Sequence, residues 1–221
     1  MIRTKTSLLL ASAALIGLTA CAPLNDPNNP NRKAQQGALV GAGVGALAGA
    51  MTGGDDRDEK VRGALIGAAV GAGAGAVIGN QLDKQEAELR QQIGNNQIDI
   101  RNTGDRLIVT LPQDITFATD STSVSPGVQG DLRAVASNLN SYPNTIVQVI
   151  GHTDNVGDAS YNFDLSQRRA QAVAGILISS GVSSGRIQTI GRGEDQPIAS
   201  NLTPEGRQQN RRVEIVILPT T

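Results

Sequence analysis

The sequence predicts an α+β sandwich of order βαβαβ with a final strand, its helices lying over one sheet, preceded by a glycine-zipper helical hairpin. Three observations carry this reading. Aliphatic runs with strand spacing recur between residues 107 and 217, two helical-period runs lie among them, and 13 of the 26 glycines fall between Gly37 and Gly79. The C-terminal part, 98–219, has the size of a single ordinary domain.

In the domain, Leu107, Val109 and Leu111 alternate as one face of a strand. Ser125-Pro126 is a helix start, an N-cap followed by proline at the first helical position. Leu132, Val135, Ala136 and Leu139 then recur at helical spacing until Tyr142-Pro143-Asn144 stops the helix. Thr145–Gly151 is a continuous apolar strand, a pattern suited to burial on both faces. After a loop, Phe163, Ala170, Val173, Ala174 and Leu177 predict one apolar face of a second helix. Ile187–Gly191 reads as a third strand, and Val213, Ile215 and Ile217 alternate in the last.

Upstream, Arg3 and Lys5 precede an apolar stretch from Ser7 to Thr19, too short for the ~20 apolar residues of a stable span. Residues 1–20 therefore read as a secretory signal. The segment ends Leu18-Thr19-Ala20-Cys21, which resembles the bacterial lipobox. That resemblance implies a diacylglycerol on the sulfur of Cys21 and an acylated amine, with Ala22 matching the outer-membrane sorting signal. Several acyl chains give stable anchoring where one is marginal. A catalytic thiol needs a base to form its thiolate, and none lies nearby in sequence. Residues 21–36 hold three prolines and four asparagines with little apolar surface, the composition of a tether.

Glycines recur every fourth residue from Gly37 to Gly53 and again from Gly63 to Gly79, and Gly37–Ala50 matches Gly63–Ala76 at 11 of 14 positions. This is an internal duplication. In water each helical glycine costs ~1 kcal/mol relative to alanine. In apolar surroundings the same stripe permits close helix contact. Residues 37–79 thus read as a duplicated hairpin whose turn holds Asp55, Asp56, Arg57, Asp58, Glu59, Lys60 and Arg62. A flexible Gly/Ala linker is the alternative, which the strict register opposes. Each run reaches about 25 Å, short of the ~30 Å hydrocarbon core. Lying in the interface or packing with other hairpins, a route to a homo-oligomer, is favoured over spanning. Residues 80–97, with Leu82, Leu89 and Ile93 among charges, read as a polar helical linker.

Composition narrows the function. The formal net charge is −1 and aromatics are 2% with no tryptophan, so neither a basic surface nor a base-stacking platform for nucleic acid is indicated. One cysteine and one histidine leave no disulfide and no CxxC or multi-histidine metal site, and no cofactor motif emerges. Gly191-x-Gly193 has Gln196 where the dinucleotide fingerprint needs its third glycine.

Three polar blocks remain: Gly151-His152-Thr153-Asp154; Asn162 to Ala170, reading N-x-x-L-S-x-x-R-A; and Asn201 to Glu214, reading N-x-T-x-x-G-R-x-x-N-R-R-V-E. Together they resemble the OmpA-like C-terminal domain, the peptidoglycan-binding module shared with Pal lipoproteins and MotB-type stator proteins. The resemblance implies a non-enzymatic, lipid-anchored outer-membrane protein that faces the periplasm and tethers membrane to wall. It also implies a ligand, the meso-diaminopimelate of the stem peptide, with Asp154 taking its ammonium and Arg169 its carboxylate. Asn162 and Thr153 would support that ligand. A planar guanidinium suits bidentate carboxylate binding. Taken without the resemblance, Asp154 and Arg169 are more simply a surface ion pair worth ~0–1 kcal/mol. Of Arg207, Arg211 and Arg212, at least one is expected to brace the sheet or the loop before it, with contact to the peptidoglycan backbone the lesser alternative, and His152 is expected to be structural. Two other functions compete: a membrane assembly protein built on the zipper, and a hydrolase, for which Asp164 is the second acid but no zinc set or Ser-His pair exists.

Overall fold

The computed structural model describes residues 38, 39, 42, 46, 78–118 and 121–220. The expected signal (1–20), lipidated Cys21 and tether lie outside the described residues, as does nearly all of the hairpin. A helix over residues 78–92, α1, leads into a five-stranded sheet ordered β1-β2-β5-β3-β4. The strands are β1 (Asp99–Asn102), β2 (Leu107–Pro112), β3 (Thr145–His152), β4 (Ile187–Gly191) and β5 (Arg212–Pro219). Only the β3–β4 pair is parallel, joined by the 21-residue helix α4 (Ala159–Ser179). The other helices are the single turn α2 (Gln113–Thr116), α3 (Pro126–Ser141) and α5 (Pro204–Asn210).

The core lies on one face of the sheet. Leu107, Val109, Val147, Val149, Ile215 and Ile217 point into it, against Leu132, Val135 and Leu139 of α3 and Val173 and Leu177 of α4. The helical spacing in the sequence is therefore the spacing of buried positions. At the far end, Arg186 donates to Leu139 O, Tyr142 O and Thr145 O, closing the carbonyl end of α3 with a cation.

Four expectations are corrected. β3 is buried on one face rather than two: Ile146 is 37% exposed, and Gln148 and Ile150 are only half-buried, because no helix among the described residues covers the second face. Phe163 is 50% exposed, not part of the α4 core stripe. Its backbone sits opposite Gly193, beyond the last residue of β4. The segment expected as a polar linker is a packed element. Leu82 and Leu89 are fully buried in the core, Gln85 Nε2 donates to Asn138 Oδ1 at 2.8 Å, and Asn102 Nδ2 donates to Asp83 Oδ1 at 3.0 Å. Finally, the edge strand β1 and helices α2 and α5 were not expected.

The opposite end of the sheet is shaped by close approach. A Cβ on Gly151 would stand 2.1 Å from Ser166 O, so only glycine lets α4 press onto β3 there. Ser166 Oγ, fully buried, donates to Phe163 O and accepts from Gly193 N. This contact fixes the start of α4 relative to the residues that follow β3.

Candidate functional site

Beyond the end of β3 the chain turns through Thr153, Asp154 and Val156, opposite the first turns of α4 and the residues leading into β5. These segments enclose a cleft of about 420 Å³. Thr153 and Asp154 supply one wall, Tyr161, Asn162, Leu165 and Arg169 of α4 a second, and Gln113, Asp114, Arg207 and Arg211 the third. Among the described residues, no group of three or more His, Cys, Asp or Glu is gathered to hold a metal ion.

Asp154 and Arg169 both line this cleft, and neither is a surface residue: they are 8% and 3% exposed. Each is held by neighbours of its own. Asp154 Oδ2 accepts from Arg211 Nη1 at 2.7 Å, and Oδ1 accepts from Val156 N at 3.1 Å. A carboxylate offers about four acceptor positions, so these two bonds leave capacity for a cationic donor. Arg169 donates through Nη1 to Gln113 Oε1 at 2.6 Å and through Nε to Ser121 O at 3.2 Å. Its guanidinium carbon lies 5.2 Å from the centre of the Phe117 ring. Bonds on two sides and an aromatic face set the plane of the fork. The cleft thus presents opposite charges, each oriented before any ligand arrives.

Residues 116–211 match the OmpA family, and residues 1–83 match the YMGG-like Gly-zipper family. Residues 116–211 are an OmpA-family domain. The chain is 44% identical over 142 residues to the Escherichia coli (strain K12) protein described as "Probable lipoprotein YiaD", covering 64% of this chain and 65% of that one. It is 46% identical over 103 residues to "Peptidoglycan-binding protein ArfA" of Mycobacterium bovis, covering 47% of this chain and 32% of that one. Among solved structures, the cell wall anchor of the T6SS from Pseudomonas aeruginosa superposes with a TM-score of 0.55 at 35% identity, over 61% of this chain and 96% of that one. The chain therefore spans 65% and 32% of the length of these two curated relatives.

Within the OmpA-family domain, most motif residues build the frame of the cleft. The Asn162 side-chain amide donates to Asp154 O at 3.3 Å, Val156 O at 3.2 Å and Glu194 Oε2 at 2.8 Å. Its NH₂ is thus spent on folding the Asp154 loop, where a direct ligand contact was expected. Thr153 N donates to Gly193 O, so its backbone is committed as well; its buried hydroxyl has no partner among the described residues. In the third block, Asn210 is fully buried, accepts from Ile198 N and Ala199 N, and donates to Ala199 O and Asn201 Oδ1. A Cβ on Gly206 would stand 2.0 Å from Ser200 O, which keeps that position glycine.

The three arginines divide. Arg212 is the brace, 4% exposed, donating to Glu214 Oε1, Asn210 O and Gln196 O. Arg207 lines the cleft while donating to Asn201 O. Arg211 reaches Asp154 and lies 3.9 Å from Asp114 Oδ1. Sequence reasoning missed Gln113 and Asp114 as cleft residues, and gave ligand contact by Arg207 or Arg211 only as the lesser alternative. His152, 2% exposed, has neither ring nitrogen hydrogen-bonded among the described residues. Burial, then the charge of Arg212, lowers its pKa to about 4, with Arg192 acting in the same direction and Glu214 opposing.

Proposed function

We propose that this protein binds peptidoglycan without cleaving it, through the meso-diaminopimelate of the stem peptide, and joins the outer membrane to the wall. The observation that carries this reading is the preset pair of opposite charges in one cleft. The side-chain end of diaminopimelate carries an ammonium and a carboxylate on one carbon. Asp154 takes the ammonium, and the fork of Arg169 takes the carboxylate. The hydroxyl of Thr153 adds a short-range partner, and Asn162 holds Asp154 in place. Relatives named as a lipoprotein, a peptidoglycan-binding protein and a cell wall anchor support the assignment.

The membrane end of the tether is the acylated Cys21, followed by the 22–36 tether. Among the described residues no helix is long and apolar enough to cross a membrane. The match of residues 1–83 to a Gly-zipper family supports self-association through 37–79 as a second role. That role is compatible with wall binding, since the cleft belongs to a single copy of the domain.

The test is co-sedimentation with purified sacculi. A charge-assisted hydrogen bond contributes ~1.5–3 kcal/mol, so losing one weakens binding tenfold or more. Asp154→Ala and Arg169→Lys are expected to remain in the supernatant while showing the cooperative unfolding of the parent. Arg169→Lys keeps the charge inside the protein and removes only the fork. Retention of both variants on sacculi overturns the assignment.

A further inference from the structure

A second depression, of about 370 Å³, lies behind the cleft. The two share a ridge. Pro112 faces the second groove while Gln113 and Asp114 face the cleft, and Gln208 and Gln209 of α5 face the groove while Arg207 faces the cleft. Gln208 Nε2 donates to Asp114 Oδ2 across the crest. Arg211 and Arg212 divide in the same way.

The chemistry of the two sides differs sharply. Five charged residues line the cleft. The groove's charged residue is Arg212, and its bonds run inward to Glu214, Asn210 O and Gln196 O. The remaining polar groups are the amides of Gln97, Gln208 and Gln209 and the hydroxyl of Thr110, beside Pro112 and Ile198, the latter 61% exposed. Neutral amides around an aliphatic patch suit a ligand that is polar, uncharged and CH-rich on one face. A zwitterion finds no charge partner there.

We propose that this groove takes the N-acetylated sugar from which the stem peptide hangs, so that one muropeptide straddles the ridge. The proposal rests on the diaminopimelate reading of the cleft. Two residues separate the diaminopimelate from the lactyl ether of the sugar, and an extended chain covers ~3.5 Å per residue. With the lactyl group the reach is at least about 10 Å, enough to cross the width of one helix. The ridge is built on α5 and on the start of α2 beside it. The amides donate to and accept from hydroxyl and acetamido groups, while Ile198 and Pro112 meet the ring face.

The test uses the full chain in detergent and two probes, the diaminopimelate-containing stem tripeptide and the same tripeptide on its disaccharide. Calorimetry is expected to show the disaccharide form binding about tenfold tighter, corresponding to ~1.4 kcal/mol. The double variant Ile198→Ser with Gln209→Ala changes two exposed side chains. It is expected to erase that advantage while leaving tripeptide affinity unchanged. Equal affinity of the two probes for the parent overturns the groove assignment and leaves the cleft standing. An advantage that survives in the double variant also overturns it. Failure of both probes to bind removes the cleft reading, and the groove with it.

Discussion

The two ends of this sheet are buried by different means. Beneath α3 and α4, buried residues are mostly aliphatic, and what holds Leu132, Val149 or Leu177 in place is contact in any direction. At the end of β3 and beyond it, the buried polar residues are His152, Thr153, Asp154, Asn162, Ser166, Arg169, Asn210 and Arg212. Of these, Asp154, Asn162, Ser166, Arg169, Asn210 and Arg212 are held by directional side-chain bonds, several of them to backbone groups of other segments. Hydrophobic burial scales with area and tolerates small shifts of position. A hydrogen-bonded frame loses its geometry when one member is lost, because each remaining partner is left unsatisfied. One end therefore supplies stability, and the other supplies orientation for two opposed charges.

The largest expected effects separate these roles. Leu177→Ala opens a cavity in the aliphatic half and is expected to cost about 2–5 kcal/mol in urea unfolding. Its affinity for the stem tripeptide should stay within twofold of the parent. Asn210→Ala removes the clamp on residues 198–201 and the neighbour of Arg211. It is expected to cost about 2–3 kcal/mol, as several bonds of ~1 kcal/mol are lost, and to weaken tripeptide binding as well. Equal loss of affinity in the two variants would erase the division between the ends.

Next in size is a pH effect confined to the directional end. The His152 imidazole is held neutral down to about pH 4, whereas in the unfolded chain it titrates near 6.5. Between these values the unfolded state binds a proton that the folded state does not, so stability rises with pH through this window. This contribution is fully present above about pH 6.5 and is lost as pH falls toward 4. The total is on the order of 3 kcal/mol. Unfolding midpoints measured from pH 7 to pH 4 should fall less steeply for His152→Gln than for the parent.

The same contrast explains what could be read from the sequence. The aliphatic half was legible because buried positions repeat at helix and strand periods, as in Leu132, Val135, Ala136 and Leu139. α1 was read as a linker because its buried stripe, Leu82, Gln85, Leu89, carries a glutamine at its centre. β1 offered no period: of its two inward residues, one is Asn102, kept buried by bonds to Asp83 and Gly104 N. α5 contains no aliphatic residue, and what it buries is Gly206 and Asn210. Asp154 and Arg169 lie fifteen positions apart on different elements, and only the resemblance of whole motifs joined them. Arg211 and Arg212 are adjacent and chemically identical. Strand position separates them, since Arg212 opens β5 beside His152 and Arg211 precedes it.

The smallest effect is the sharpest comparison, because one sequence signature occurs at both ends. Ser125-Pro126 starts α3 in the aliphatic half, and Thr203-Pro204 starts α5 beside the cleft. The Ser125 side chain makes no capping bond, and α3 is held by Val128, Leu132, Val135 and Leu139. Thr203 Oγ1 accepts from Gly206 N at 3.1 Å, and α5 has no apolar stripe to replace that bond. Ser125→Ala is expected to change stability by less than about 0.5 kcal/mol, and Thr203→Ala to cost about 1 kcal/mol. Thr203→Ala should also weaken tripeptide binding a few-fold, since α5 carries Arg207 and leads directly into Arg211. Equal costs from the two substitutions would mean that packing holds α5 after all. The directional account of the cleft would then lose the helix on which its third wall is built.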